Sequence, residues 1–185
     1  MNSYQVRAMA RKLLNELGIT SFPFDLINLA KEISASIMFS KELPEKISGY
    51  LLPFSNGKSN FLIGVNEDKT PGHRRFTIAH EIGHIVNGDY RYEAILLDTL
   101  ELDTSETERR PFMQHPFMQH PFMPRERLAN VFATELLMPS YMVKRYYVEG
   151  EKDVNLFCER FGVSFTAMKI RLFDELGYDE KEFWF

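Results

Sequence analysis

The sequence predicts an α+β fold: a small three-stranded sheet, antiparallel or mixed, packed on one central helix and followed by a helical C-terminal part. Three observations carry this. Three short runs with β-type residues lie close together between Ala35 and Val65. Apolar residues recur at helical spacing before and after them. Between the strands and the last helices stands His80-Glu81-Ile82-Gly83-His84, inside a run that also keeps helical spacing.

The elements follow in chain order. A first helix is expected from about Ser3 to Leu17, with Ser3 as its cap, Val6, Ala10, Leu13, Leu14 and Leu17 as its apolar face, and Gly18 as its end. A second helix is expected after Pro23, from about Phe24 to Ile33. Strands are expected over Ala35–Ser40, Ser48–Pro53 and Asn60–Val65, where Ile37, Phe39, Tyr50, Leu52, Leu62 and Ile63 supply β-type side chains. Ser55-Asn56-Gly57-Lys58-Ser59 is a candidate hairpin turn.

The central helix is expected over Arg74–Asn87, with Asn87-Gly88 as a stop signal. Phe76, Ala79, Ile82 and Val86 give it an apolar face. Gly83 inside it costs about 1 kcal/mol relative to alanine, so a packing reason is expected, such as close approach of another backbone. Side chains four apart on a helix share a face. His80 and His84 can therefore hold one metal ion, and Glu81 can reach a water beside it as general base. The bland alternative is an amphipathic helix with two ordinary histidines. Its apolar surroundings weigh against that, since buried His and Glu are costly unless paired or bound to metal.

A catalytic zinc site has three protein ligands and an open position. The extended pattern with a third histidine fails here, because Asn87 and Tyr90 stand at its last two defining positions. The candidates for the third ligand are Asp98, Glu101, Asp103, Glu106, Glu108, His115, His120, Glu126 and Glu135. Most of the earlier acids lie in the charged stretch 98–110. Glu126 fits best. It shares a helical face with Ala129, Asn130 and Ala133 in the expected helix Arg125–Met138, and the small alanines permit close approach to the His80–His84 helix. A solvated acid suited to the helix dipole is the plain alternative for Glu126. No orienting partner for the histidines can be assigned from sequence. Arg75, His73 and Tyr90 are guesses for a group that stabilises an oxyanion.

These residues form two motifs. Arg75-Phe76-Thr77-Ile78-Ala79-His80-Glu81-Ile82-Gly83-His84 is followed by a helix carrying Glu126, Ala129, Asn130, Phe132, Ala133, Leu136, Leu137, Met138 and Pro139. Together they resemble the ImmA/IrrE family of metallopeptidases over about residues 1–175. The resemblance implies a zincin-like fold and zinc ligation by His80, His84 and Glu126, with Glu81 as catalytic base; manganese also suits two His and one carboxylate. It further implies a regulatory role in phage, mobile-element or toxin–antitoxin settings, in which a helix-turn-helix repressor is cleaved or inactivated. The rival expectation is a regulatory binding protein that sequesters a repressor around a structural or vestigial metal site. Zinc peptidases of this kind hold substrate on an edge strand. Asn60–Val65 or Ser48–Pro53 would serve, unless both are paired within the sheet.

The remaining sequence sets bounds. With 185 residues and 44% apolar content, the chain can bury one good core. We expect a metallopeptidase domain over 1–150 and a helical subdomain over 151–185 packed on it. A formal net charge of −4 argues against nonspecific nucleic-acid binding. Neither a membrane span nor a signal-peptide core is present in the sequence, and Cys158 has no second cysteine to pair with, so a cytoplasmic location is expected. Pro111–Met123 repeats Pro-Phe-Met-Gln-His with a period of five, which reads as a duplicated surface loop. Residues 153–176 read as helix, turn, helix, with Ser164 as a cap and Lys169 and Arg171 as possible DNA contacts; the acidity of this region argues against that use. The oligomeric state is not legible.

Overall fold

The computed structural model describes residues 1–53, 60–88, 96–98 and 123–177, with the backbone alone at 96–98 and Met123. Helix α1 is Ser3–Glu16 and α2 is Leu26–Glu32. Strands β1 (Ala35–Ser40), β2 (Gly49–Pro53) and β3 (Phe61–Asn66) precede α3 (Pro71–Asn87). A short strand β4 (Leu96–Asp98) comes next, then α4 (Met123–Leu137), α5 (Ser140–Val148), α6 (Val154–Phe161) and α7 (Phe165–Leu176). The α+β reading holds.

Local chemistry moves some boundaries. Asn2, not Ser3, caps α1. Its side chain accepts from the Gln5 backbone N–H at 3.0 Å, and the Gln5 side chain accepts from the Asn2 N–H at 2.9 Å, a reciprocal pair that leaves Ser3 as the first helical residue. Asp25 delays α2 to Leu26 by accepting from the N–H groups of Ile27 and Asn28. Helix α3 starts earlier than expected because Pro71 suits the first helical turn, and it stops at Gly88, whose φ of 76° is a left-handed conformation.

The three expected strands form a mixed sheet, and β4 extends it to the order β1-β3-β2-β4. Strand β1 runs parallel to β3, with Ala35 opposite Phe61. Strand β2 runs antiparallel to β3, with Gly49 opposite Val65, and to β4, with Gly49 opposite Asp98. Neither expected edge strand is a free edge. Strand β3 lies inside the sheet, and β4 pairs β2 over Gly49, Tyr50 and Leu51. The outer strands among the described residues are β1 and β4. The candidate turn at 55–59 and the repeat at 111–122 lie outside the described residues.

Side chains alternate along a strand, so Gly49, Leu51, Ile63 and Val65 share one face. That face meets α3: a Cβ on Gly49 would lie 2.5 Å from Thr77 Cγ2. Leu51, Ile63 and Val65 are buried there with Ile78, Ala79 and Ile82. On its other side α3 meets α4. A Cβ on Gly83 would lie 3.2 Å from Ala129 Cα, Ala129 O and Phe132 Cβ, so the glycine allows the backbone approach that its helix cost implied. Helix α1 packs on α4 through the buried Val6, Ala10 and Leu14.

Helices α6 and α7 feed the same core through Val154, Phe157, Phe161, Met168 and Leu172. Arg171 is fully buried. Its Nε donates to the Met138 carbonyl at 2.9 Å, and its other nitrogens pair with Glu135 and Glu175. It therefore cannot contact DNA, which removes one of the two basic contacts expected of the helix-turn-helix reading. Among the described residues, no helix is long and apolar enough to cross a membrane.

Candidate metal centre

Helix α3 presents His80 and His84 one turn apart, and both are buried. Their Nε2 atoms lie 3.0 Å from each other. Helix α4 brings Glu126 from its first turn: Oε2 lies 3.1 Å from His80 Nε2, and Oε1 lies 3.4 Å from His84 Nε2. The three side chains offer ligand atoms that all lie within 4.8 Å of one another, and the cluster could hold a metal ion.

The donor set fits a divalent ion of tetrahedral preference. With bonds of about 2.0–2.1 Å, such an ion spaces its ligands roughly 3.3 Å apart, close to the separations found here. The chemistry agrees. Two imidazole lone pairs and a carboxylate at this distance repel one another unless a cation or a proton lies between them. Burial alone would raise the Glu126 pKa, but hydrogen bonds and charge interactions with His80 and His84 outweigh it and hold the carboxyl well below the usual range.

Asn130 completes this side of the site. It follows Glu126 by four residues, so both stand on the same face of α4. Its Oδ1 lies 2.8 Å from His80 Nδ1, which donates to it. This partner was not assignable from sequence. The signal that could have found it is the four-residue spacing from Glu126 on a helix already facing α3.

Glu81 is fully buried and follows His80 directly. A Cβ at Gly49 would lie 3.8 Å from Glu81 Oε1, so the start of β2 forms the wall beside the carboxylate. Thr77, one turn earlier, is also fully buried against Gly49.

Two of the candidates for an oxyanion-stabilising group, His73 and Arg75, have partners elsewhere. His73 bonds the Ser48 hydroxyl through Nε2 at 2.8 Å, and it lies seven residues before His80, about 10 Å along the helix. Arg75 donates to the Phe24 carbonyl at 3.0 Å, and its Nε is wedged against Gly162. Tyr90 lies outside the described residues, as do Glu101, Asp103, Glu106, Glu108, His115 and His120 among the possible third ligands. Asp98 lies on β4, where only the backbone is described. Glu135 is bound elsewhere: Arg7, Arg11 and Arg171 pair with its carboxylate, and Ser140 donates to it. Burial, with Asp153 nearby, pushes the Cys158 thiol up to about 11, away from reactivity at neutral pH.

The sequence matches the model of the IrrE N-terminal-like domain of the M78 peptidases over residues 31–173. The chain belongs to this family. The IrrE N-terminal-like family is of metallopeptidase type, and its match spans β1 to α7, including every residue of the His80–His84–Glu126 cluster. A solved Mycobacterium tuberculosis transcriptional regulator has a similar fold, with a TM-score of 0.61 at 20% identity. The likeness covers 97% of this chain and 49% of that one, so this chain spans about half the length of the regulator. No curated protein sequence matched.

Proposed function

We propose that this protein is a zinc-dependent intracellular peptidase that cleaves or inactivates a helix-turn-helix transcriptional repressor. In this reading His80, His84 and Glu126 hold the metal and Glu81 is the general base. The observation that carries it is the convergence of two imidazole nitrogens and one carboxylate within 3.0–3.4 Å, with a buried glutamate next in sequence to the first imidazole. A site that only braces the fold has no need of Glu81.

When bound, a divalent ion supplies Lewis acidity: it polarises a carbonyl and makes water a better nucleophile at neutral pH. The chain supplies the rest. His80 and His84 present lone pairs from a rigid helix, and Asn130 keeps the His80 ring oriented. Glu81 takes a proton from the attacking water and passes it to the leaving amine nitrogen. The wall at Gly49 keeps the Glu81 carboxylate out of bulk solvent. Manganese also suits the donor set. The repressor as substrate rests on the family resemblance, and the likeness to a transcriptional regulator agrees with it.

The test co-expresses the protein with a helix-turn-helix repressor drawn from its own genomic neighbourhood. The repressor should be cut with wild type and stay intact with Glu81→Gln. Equal cutting by both would refute the role of Glu81. Binding by both without cutting would favour sequestration over hydrolysis.

A further inference from the structure

We propose that Asn130 sets how tightly the site holds its metal, as a positioning residue that fixes the His80 tautomer without adding charge. This rests on reading His80, His84 and Glu126 as ligands. The carbonyl oxygen of Asn130 has lone pairs only, so the proton of the 2.8 Å contact belongs to His80 Nδ1. With that proton on Nδ1, a ring that holds a metal has its lone pair on Nε2, the atom that faces His84 Nε2 and Glu126 Oε2.

The arrangement is rigid as well as oriented. Ligand and orienter sit one turn apart on α4. The helix is pressed on α3 where Ala129 and Phe132, both fully buried, meet Gly83. Asn130 cannot drift from His80 unless that contact opens.

The choice of side chain sets the charge. Ligating histidines are oriented by carboxylates, carbonyls or water. A carboxylate would draw on the Nδ1 proton, raise the basicity of Nε2 and tighten the metal. A carboxamide orients the ring without that pull. With a divalent ion and with Glu81 and Glu126 ionised, the charges sum to zero, whereas an aspartate at 130 would leave the site at −1. The asparagine thus gives a preset but moderately tight site, whose occupancy follows the free metal.

The experiment titrates zinc into the full-length protein against a chromogenic chelator at fixed pH. Asn130→Ala should weaken zinc binding by about 10–100-fold, the range for losing such a partner. Asn130→Asp should bind tighter than wild type, because a carboxylate raises the basicity of the ligating imidazole, which also shows that a side chain at 130 rescues the alanine loss. The proposal falls if Asn130→Ala binds zinc as wild type does, or if Asn130→Asp is as weak as Asn130→Ala. Nitrogen NMR of imidazole-labelled, metal-free protein gives a second readout that altered packing alone would not produce. His80 Nδ1 should carry a proton in wild type, hydrogen-bonded to Asn130. An unprotonated Nδ1 in wild type would overturn the proposal. Zinc affinity unchanged by Glu126→Ala would overturn the ligand reading instead, a separate failure.

Discussion

Helix α4 carries two carboxylates nine residues apart, and their surroundings give them opposite uses. Glu126 faces two imidazoles and keeps 34% of its side-chain surface exposed. Glu135 is fully buried among three guanidinium groups. An imidazole in its neutral form can share a lone pair with a metal, so Glu126 belongs to a cluster that could hold one. A guanidinium has donors only and keeps its charge, so every lone pair of Glu135 is already committed. Side-chain partners, more than burial or helix position, separate a ligand from a brace.

The largest effect should come from breaking the brace. Arg171→Ala leaves Glu135 buried with a lost partner, and removal of one member of a buried pair costs about 3–5 kcal/mol. Chemical unfolding of the metal-free protein would show it; a loss below 1 kcal/mol would mean that Arg7 and Arg11 suffice. The same cluster sets a pH dependence. Burial raises the Glu135 pKa, but Arg171, Arg11 and the Ser140 N–H outweigh it and hold it below its ordinary value of 4.5. A depressed folded-state pKa gives stability that is present above pH 4.5 and is lost as pH falls through the folded value. Melting temperature should therefore fall more steeply below pH 4.5 in wild type than in Glu135→Gln.

Glu126→Ala should do the reverse of Arg171→Ala. Zinc affinity should drop by more than about 100-fold, beyond the range for an orienting partner, while metal-free stability changes little. Equal effects of the two variants on stability would erase the contrast between them. Gly83→Ala comes next. Its Cβ would crowd Ala129 and Phe132 at 3.2 Å, at an overpacking cost of about 1–3 kcal/mol, set against about 1 kcal/mol of better helix propensity. Weaker zinc binding without unfolding would show that the two helices set the ligand spacing. The smallest effect belongs to Lys144→Ala. Lys144 is half exposed and pairs with Glu175 at 3.0 Å, so its removal should cost no more than about 1 kcal/mol.

Much of this contrast was legible in sequence. The four-residue spacing put His80 and His84 on one face, and Gly83 announced a close backbone approach. The caps at Ser164 and Gly88 follow from local chemistry alone. What sequence could not supply came from pairing across distance. Glu126 and Glu135 share a helix and a residue type, and only the fold brings imidazoles to one and arginines from α1 and α7 to the other. Arg171 looked like a surface cation because an isolated helix does not reveal which face its neighbours cover. Whether an expected strand was an edge stayed open in sequence, and both proved paired: β3 between β1 and β2, and β2 against β4, whose three residues are too few to show a period. Ser3 lost its capping role to Asn2 because Gln5 could answer only one of them.

Helix α1 lies wholly before residue 31, where the match to the family begins, yet Val6, Ala10 and Leu14 are sealed against α4, and Arg7 and Arg11 reach Glu135. The boundary of a sequence family is therefore not the boundary of the folding unit here. A protein trimmed to 31–173 would bare the apolar flank of the helix that carries Glu126 and strip two cations from a buried acid. Such a fragment should be recovered as aggregate, even with every proposed ligand in place.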